Sequence, residues 1–99
     1  MHNFRELKIW KGSMEITKFF YSQTKLFLSS ELYSLTSQIN RAAVSIHSNI
    51  AEGAGRYGNK EFCQFLNIAI GSFFELETQM ILAHDFGYIK KEDLALFII

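Results

Sequence analysis

Residues Ser37–Arg56, SQINRAAVSIHSNIAEGAGR, decide the fold. With Leu35 just ahead of them, Ile39, Ala42, Ala43, Ile46 and Ile50 fall within about 100° of arc on an α-helix. That stripe predicts a core-facing helix starting near Ser34. Roughly opposite lie Gln38, Arg41, Ser45, Ser48, Asn49, Glu52 and Arg56, a continuous polar face. Ser37, Val44 and Ala51 stand between the stripes and let a second helix come close. Gly53, Gly55 and Gly58 then break the helix, with Gly53 expected in the left-handed conformation of a helix end.

Outward from this corner, Asn59 reads as the N-cap of a third helix, and Glu61 in its first turn complements the helix dipole. Phe62, Leu66, Ala69, Phe73, Leu76, Met80 and Ala83 follow at alternating four- and three-residue steps, the period of a helical bundle. From Asn59 to Phe86 such a helix is about 40 Å long at about 1.5 Å per residue. Phe65, Ile68, Ile70, Phe74, Ile81 and Leu82 lie off the seam, and a helix apolar on more than one face needs more than one neighbour. Gly87 ends it. A last helix begins around Lys91, with Glu92 and Asp93 in its first turn, and runs into LALFII at 94–99. So short a helix cannot seal one side of the bundle, so either another chain covers that side or a C-terminal portion does.

On the N-terminal side, a first helix is expected from about Phe4 to Phe27, with Leu7, Trp10, Met14, Thr17 and Tyr21 as its seam. Ile9, Ile16, Phe20 and Phe27 widen the apolar face to one side. It carries Arg5, Lys8, Lys11, Lys18 and Lys25 against Glu6 and Glu15, which reads as a solvated outer face. Between Leu28 and Tyr33 the period is lost, and Ser29, Ser30 and Ser34 suit a turn or N-cap. The expectation is all-α: one domain over residues 1–99, an antiparallel up-and-down four-helix bundle with a short or truncated fourth helix.

Composition narrows the function. Hydrophobic residues make up 48% of the chain and charged ones 20%, which argues against a disordered chain. The formal net charge is zero, so no global basic field would hold nucleic acid or an anionic membrane. A single cysteine, Cys63, excludes an intramolecular disulfide and reads as a packed thiol. The charged opening MHNFRELKIWKG is no signal peptide, and no apolar run reaches the roughly 18 residues of a membrane span. A cytoplasmic protein with no membrane partner is expected.

Few motifs point to chemistry. Gly53 to Gly58 match G-x-G-x-x-G, but a helix precedes them where a dinucleotide site needs a strand. Free N–H groups at the start of the third helix, flanked by Arg56 and Lys60, could still contact an anion. No glutamate has a histidine three residues on, so the ligand pattern of a metal-binding bundle is missing. No nucleophile, base and acid fall in a catalytic context, and neither enzyme activity nor a cofactor is expected. His47 lies off the core stripe and reads as a surface or interface residue. Arg41, Ser45, Asn49, Glu52 and Arg56 line one helix face, and Glu75 and Gln79 share another. Exposed, they form an ordinary solvated face; buried, a polar network that fixes register between helices or subunits, with Glu52 bridging the arginines.

TSQINRAAVSIHSNIAEGAGR, KEFCQFLNIAIGSFFELETQMILAHDFGYI and the opening FRELKIWKGSMEI strongly resemble the 23S rRNA-intervening-sequence proteins, or S23 proteins, over nearly the whole chain. The resemblance implies a four-helix bundle assembled into a homo-oligomer, a ring of five, whose biochemical activity is not established. A related branch serves as accessory proteins of diversity-generating retroelements, where a basic pentamer binds a reverse transcriptase and nucleic acid. The partners so implied are copies of this chain, and RNA, DNA or a nucleic-acid enzyme, with Arg41, Arg56 and Lys60 as contacts. The chain departs from the family at Asn40, Asn67 and Ile70, where basic residues are usual, and at His47, where proline is common. Glu61 to Phe86 hold four acids and no Lys or Arg, which speaks against a phosphate-tracking stripe on the third helix. The resemblance also implies a fourth helix continuing beyond the equivalent of Ile99.

Overall fold

The computed structural model describes residues 1–25 and 34–95. A 3-10 turn at Phe4–Glu6 leads into α1 (Lys8–Thr24), followed by α2 (Leu35–Ala54), α3 (Asn59–Asp85) and the short α4 (Lys91–Ala95). This is the expected four-helix arrangement with a short fourth helix. Residues 26–33, which include the expected end of the first helix and Ser29 and Ser30, lie outside the described residues, as do 96–99.

The centre is α2. Its predicted stripe, Leu35, Ile39, Ala42, Ala43, Ile46 and Ile50, is buried throughout. It packs against α1 on one side and α3 on the other, while α1 and α3 nowhere bring Cα atoms within 8 Å of each other. Ala69, Leu76, Met80 and Ala83 of α3 meet it in the core, and Ile89 and Leu94 close the end.

Three local expectations are corrected. The first helix is not continuous from Phe4, because Leu7 is extended (φ −74°, ψ 126°) and separates the 3-10 turn from α1. Its buried face is also rotated: Phe20 is fully buried and Tyr21 is exposed. Small polar residues accompany this rotation: Thr17 Oγ1, which donates to the Ser13 carbonyl at 2.9 Å, also reaches the Ala43 carbonyl at 3.2 Å, and Thr24 Oγ1 donates to Asn40 Oδ1 at 3.2 Å. Hydrogen-bonded threonines facing the alanines of α2 allow a close approach that a larger apolar seam would prevent. The third correction is at α3, where Gly58 takes the N-cap position without a side-chain bond and Asn59 is the first helical residue.

The glycine corner also differs. Gly53 is helical and buried, and α2 continues to Ala54. A methyl group at Gly53 would lie 2.6 Å from Phe65 Cβ and 3.0 Å from Phe62 Cδ1, so this glycine serves close helix crossing. The left-handed residue is Gly87, at φ +83°. There Tyr88 N–H donates to the Ala83 carbonyl and Gly87 N–H to the His84 carbonyl, both at 2.9 Å. That pair of bonds is a Schellman cap, and it satisfies carbonyls that the end of α3 would otherwise leave free.

The N-terminal segment folds back over the α2–α3 corner. His2 N–H donates to the Ala54 carbonyl at 2.7 Å, and the His2 ring lies 4.9 Å from that of Phe62.

Candidate interaction surfaces

The sequence-predicted polar residues of α2 do not form one network. Ser45 Oγ and Ser72 Oγ of α3 are 2.8 Å apart, and Asn49 Nδ2 donates to both the Ser45 carbonyl (2.7 Å) and Ser45 Oγ (3.0 Å). This half-buried group ties α2 to α3 and fixes their register. Glu52 and Arg56 form a separate exposed ion pair at 3.1 Å. The Arg56 guanidinium also stands 5.0 Å above the Phe65 ring. At this end the face is the exposed, solvated one of the two alternatives, and Glu52 does not bridge two arginines: Arg41 lies eleven residues away on the same helix, about 16 Å along its axis.

Arg41 is exposed and makes no ion pair or hydrogen bond among the described residues. On α3, Gln79 Nε2 donates to Glu75 Oε1 at 3.2 Å. Gln79 is only 8% exposed, and its Oε1 is buried without a donor. Sequence reasoning grouped this pair correctly on one face but gave no sign of the unmet carbonyl oxygen. Lys60 is exposed in the first turn of α3, where Arg56 is already engaged by Glu52. Two further site residues change character. Cys63, expected to be packed, is exposed, because it points outward from the seam that Phe62 and Leu66 follow. His47 is half-buried, and burial holds its imidazole below the ordinary value of 6.5.

Two apolar surfaces are open. The first is a trough between α1 and α3 with α2 as its floor, enclosing about 410 Å³. Ile9, Gly12 and Ile16 form one wall, Leu66, Ile70 and Phe73 the other, and Ile46 and Ile50 the base. Phe74 and Ile81 extend the exposed apolar surface of α3 at 57% and 39% exposure. The second surface is the opposite side of α3, where Ile68, Leu82 and Phe86 are exposed. That α3 is apolar on more than one face was legible from the sequence; which of those faces borders the trough beside α1 was not.

Among the described residues no group of three or more His, Cys, Asp or Glu could hold a metal ion. No helix there is long and apolar enough to cross a membrane.

Three long helices, with α2 between α1 and α3 and apolar surfaces open on two sides of α3, define a small all-α bundle protein. The chain belongs to the 23S rRNA-intervening sequence protein family, whose model matches residues 5–98. No curated protein matches it.

Proposed function

We propose that this chain is a non-enzymatic interaction protein of the cytoplasm, a scaffold or accessory factor that assembles with copies of itself. The ring of five implied by its family resemblance is the assembly we favour. The observation that carries the reading is the distribution of apolar residues on α3. Ile70, Phe74 and Ile81 on one side and Ile68, Leu82 and Phe86 on the other are each 39–59% exposed. Scattered surface hydrophobics are ordinary, but residues aligned along a helix on two sides suit helix partners from other subunits. Light scattering at micromolar concentration tests this, with a mass several times that of one chain expected. A mass of one chain would overturn it.

A second reading, an accessory module for RNA or DNA, is favoured by the outer surface of the N-terminal region. Arg5, Lys8, Lys11, Lys18 and Lys25 are all exposed there, and among the described residues only Lys18 has an acidic partner, Glu15 at 3.5 Å. Repeated around a ring, this surface would concentrate positive charge that a single neutral chain lacks, with Arg41 and Lys60 as further contacts. A gel shift at low salt that weakens steeply as salt rises would support this reading. No shift at low salt would remove it.

A further inference from the structure

The apolar trough between α1 and α3 ends at a carboxylate. As α1 runs from Thr17 to Thr24, its partners on α2 run back from Ala43 to Asn40, and α3 likewise meets Ser45 at Ser72 and Gly53 at Phe62. Both neighbours are antiparallel to α2, so the two walls of the trough are parallel helices. One turn beyond Ile16 stands Phe20, and one turn beyond Phe73 stands Glu77. With Leu76 these line a recess that continues the trough from Phe73. Phe20 lies eleven residues beyond Ile9, and Glu77 eleven beyond Leu66, so each wall runs about 16 Å, three turns of helix. The rims at Ile9 and Ile70 are half exposed.

Glu77 itself is half-buried, and its Oε2 is buried with no donor reaching it among the described residues. It takes part in none of the ion pairs there. A carboxylate oxygen taken from water and left without a donor is costly. Packing gives no reason for it, because a leucine at this position would extend the apolar wall. A cation arriving from outside recovers the cost, since it meets a carboxylate already stripped of water.

Shape and charge together specify the occupant. A straight apolar trough three turns long, walled by two parallel helices, fits a helix laid lengthwise and anchored through residues at i, i+3, i+4 and i+7. That helix must also bring a cation to the Glu77 end. The α3 helix of a second copy does not meet this need. Glu61 to Phe86 contain no Lys or Arg, and the middle of its outer side, between Ile68 and Leu82, is Glu75. It would set carboxylate against carboxylate.

We propose that the trough receives a helix of a different, partner protein, apolar along one face and carrying one lysine or arginine that pairs with Glu77. Ile9, Ile16, Ile70 and Phe73 grip the apolar face, and Glu77 sets the direction and register in which the helix lies. The inference goes beyond the homo-oligomer reading and does not depend on it. Ile68, Leu82 and Phe86 on the opposite side of α3 stay open to copies of the chain.

Three synthetic peptides of about 18 residues test it, each a helix with leucines along one face and a central residue that is Lys, Gln or Glu. Binding is read by fluorescence anisotropy. The wild type is expected to bind the Lys peptide at least about tenfold more tightly than the Glu peptide, with the Gln peptide between. Glu77→Gln, nearly the same shape, should erase that preference, and Glu77→Lys should reverse it. Gly12→Phe should weaken all three peptides, because a Cβ at Gly12 meets nothing within 4 Å and a ring there fills the trough. Circular dichroism should show wild-type helix content in each variant. No binding of the Lys peptide, equal binding of all three, or a preference that survives Glu77→Gln would overturn the proposal. So would Glu77-dependent binding of decylammonium without binding of the peptides, which would make the site one for a small cationic amphiphile. None of these outcomes touches the homo-oligomer reading, which the light-scattering mass without peptide decides.

Discussion

Gly53 on α2 and Phe65 on α3 approach so closely that a Cβ on the glycine would lie 2.6 Å from Phe65 Cβ. The crossing of the two best-packed helices is set by the absence of one methyl group. Gly53→Ala adds helix propensity of about 1 kcal/mol but must overpack this contact, at a cost of about 1–3 kcal/mol. The neighbour is a Cβ rather than a flexible side-chain end, so the steric cost dominates and the melting temperature falls. Gly12→Ala on α1 meets nothing within 4 Å and should raise it, by roughly 4–8 °C per kcal/mol. Thermal unfolding of the two variants side by side checks the prediction, and equal shifts would refute it.

Gly87 is the one described residue with positive φ, at +83°, and it completes the cap of α3. Gly87→Ala forces a Cβ into the left-handed region at a cost of roughly 1–2 kcal/mol. Gly87→Asn should lose less, because asparagine tolerates that region. Urea denaturation would rank them glycine, asparagine, alanine; an alanine variant as stable as wild type would contradict the cap.

The two serines at the α2–α3 seam are not equivalent. Removing the Ser72 hydroxyl leaves Ser45 still bonded to Asn49, so Ser72→Ala should cost only about 0.5–1.5 kcal/mol. Ser45→Ala instead strands the hydroxyl of Ser72, which is 8% exposed, and should cost about 1–3 kcal/mol. The double variant should be no less stable than Ser45→Ala alone. A double-mutant cycle reads this directly, and strictly additive losses would show that the hydroxyls do not interact.

His47 gives the chain a pH dependence of definite sign. Burial lowers its folded-state pKa below 6.5, so the unfolded chain binds the proton more tightly. Its contribution to stability is fully present above the unfolded value and is lost as pH falls through the folded one. The difference in melting temperature between wild type and His47→Gln should therefore move against the wild type from pH 8 to pH 5. A difference that stays constant, or moves the other way, would dismiss the effect.

Much of the bundle was legible in the sequence because α2 and α3 carry regular spacing. The six apolar positions from Leu35 to Ile50 are buried as their period requires. The seam of α1 was misplaced by the same reasoning, since apolarity alone could not show that Thr17 and Thr24 hydrogen-bond into α2. The polar face from Arg41 to Arg56 reads as one line along the helix. Its division into a Ser45–Asn49 group and a Glu52–Arg56 pair depends on where Ser72 of α3 arrives.

The sequence by itself determined the family, the all-α class, the apolar stripes of α2 and α3 and the helix stop at Gly87. Those follow from local periodicity and from the conformations that single residues permit. Only the tertiary structure decided that Gly53 is a contact point rather than a turn, that Cys63 is exposed, and that Glu75 is pinned by an amide left half unsatisfied. These are relations between residues far apart in the chain. They depend on how two helices cross and in what register, which no period within either helix contains.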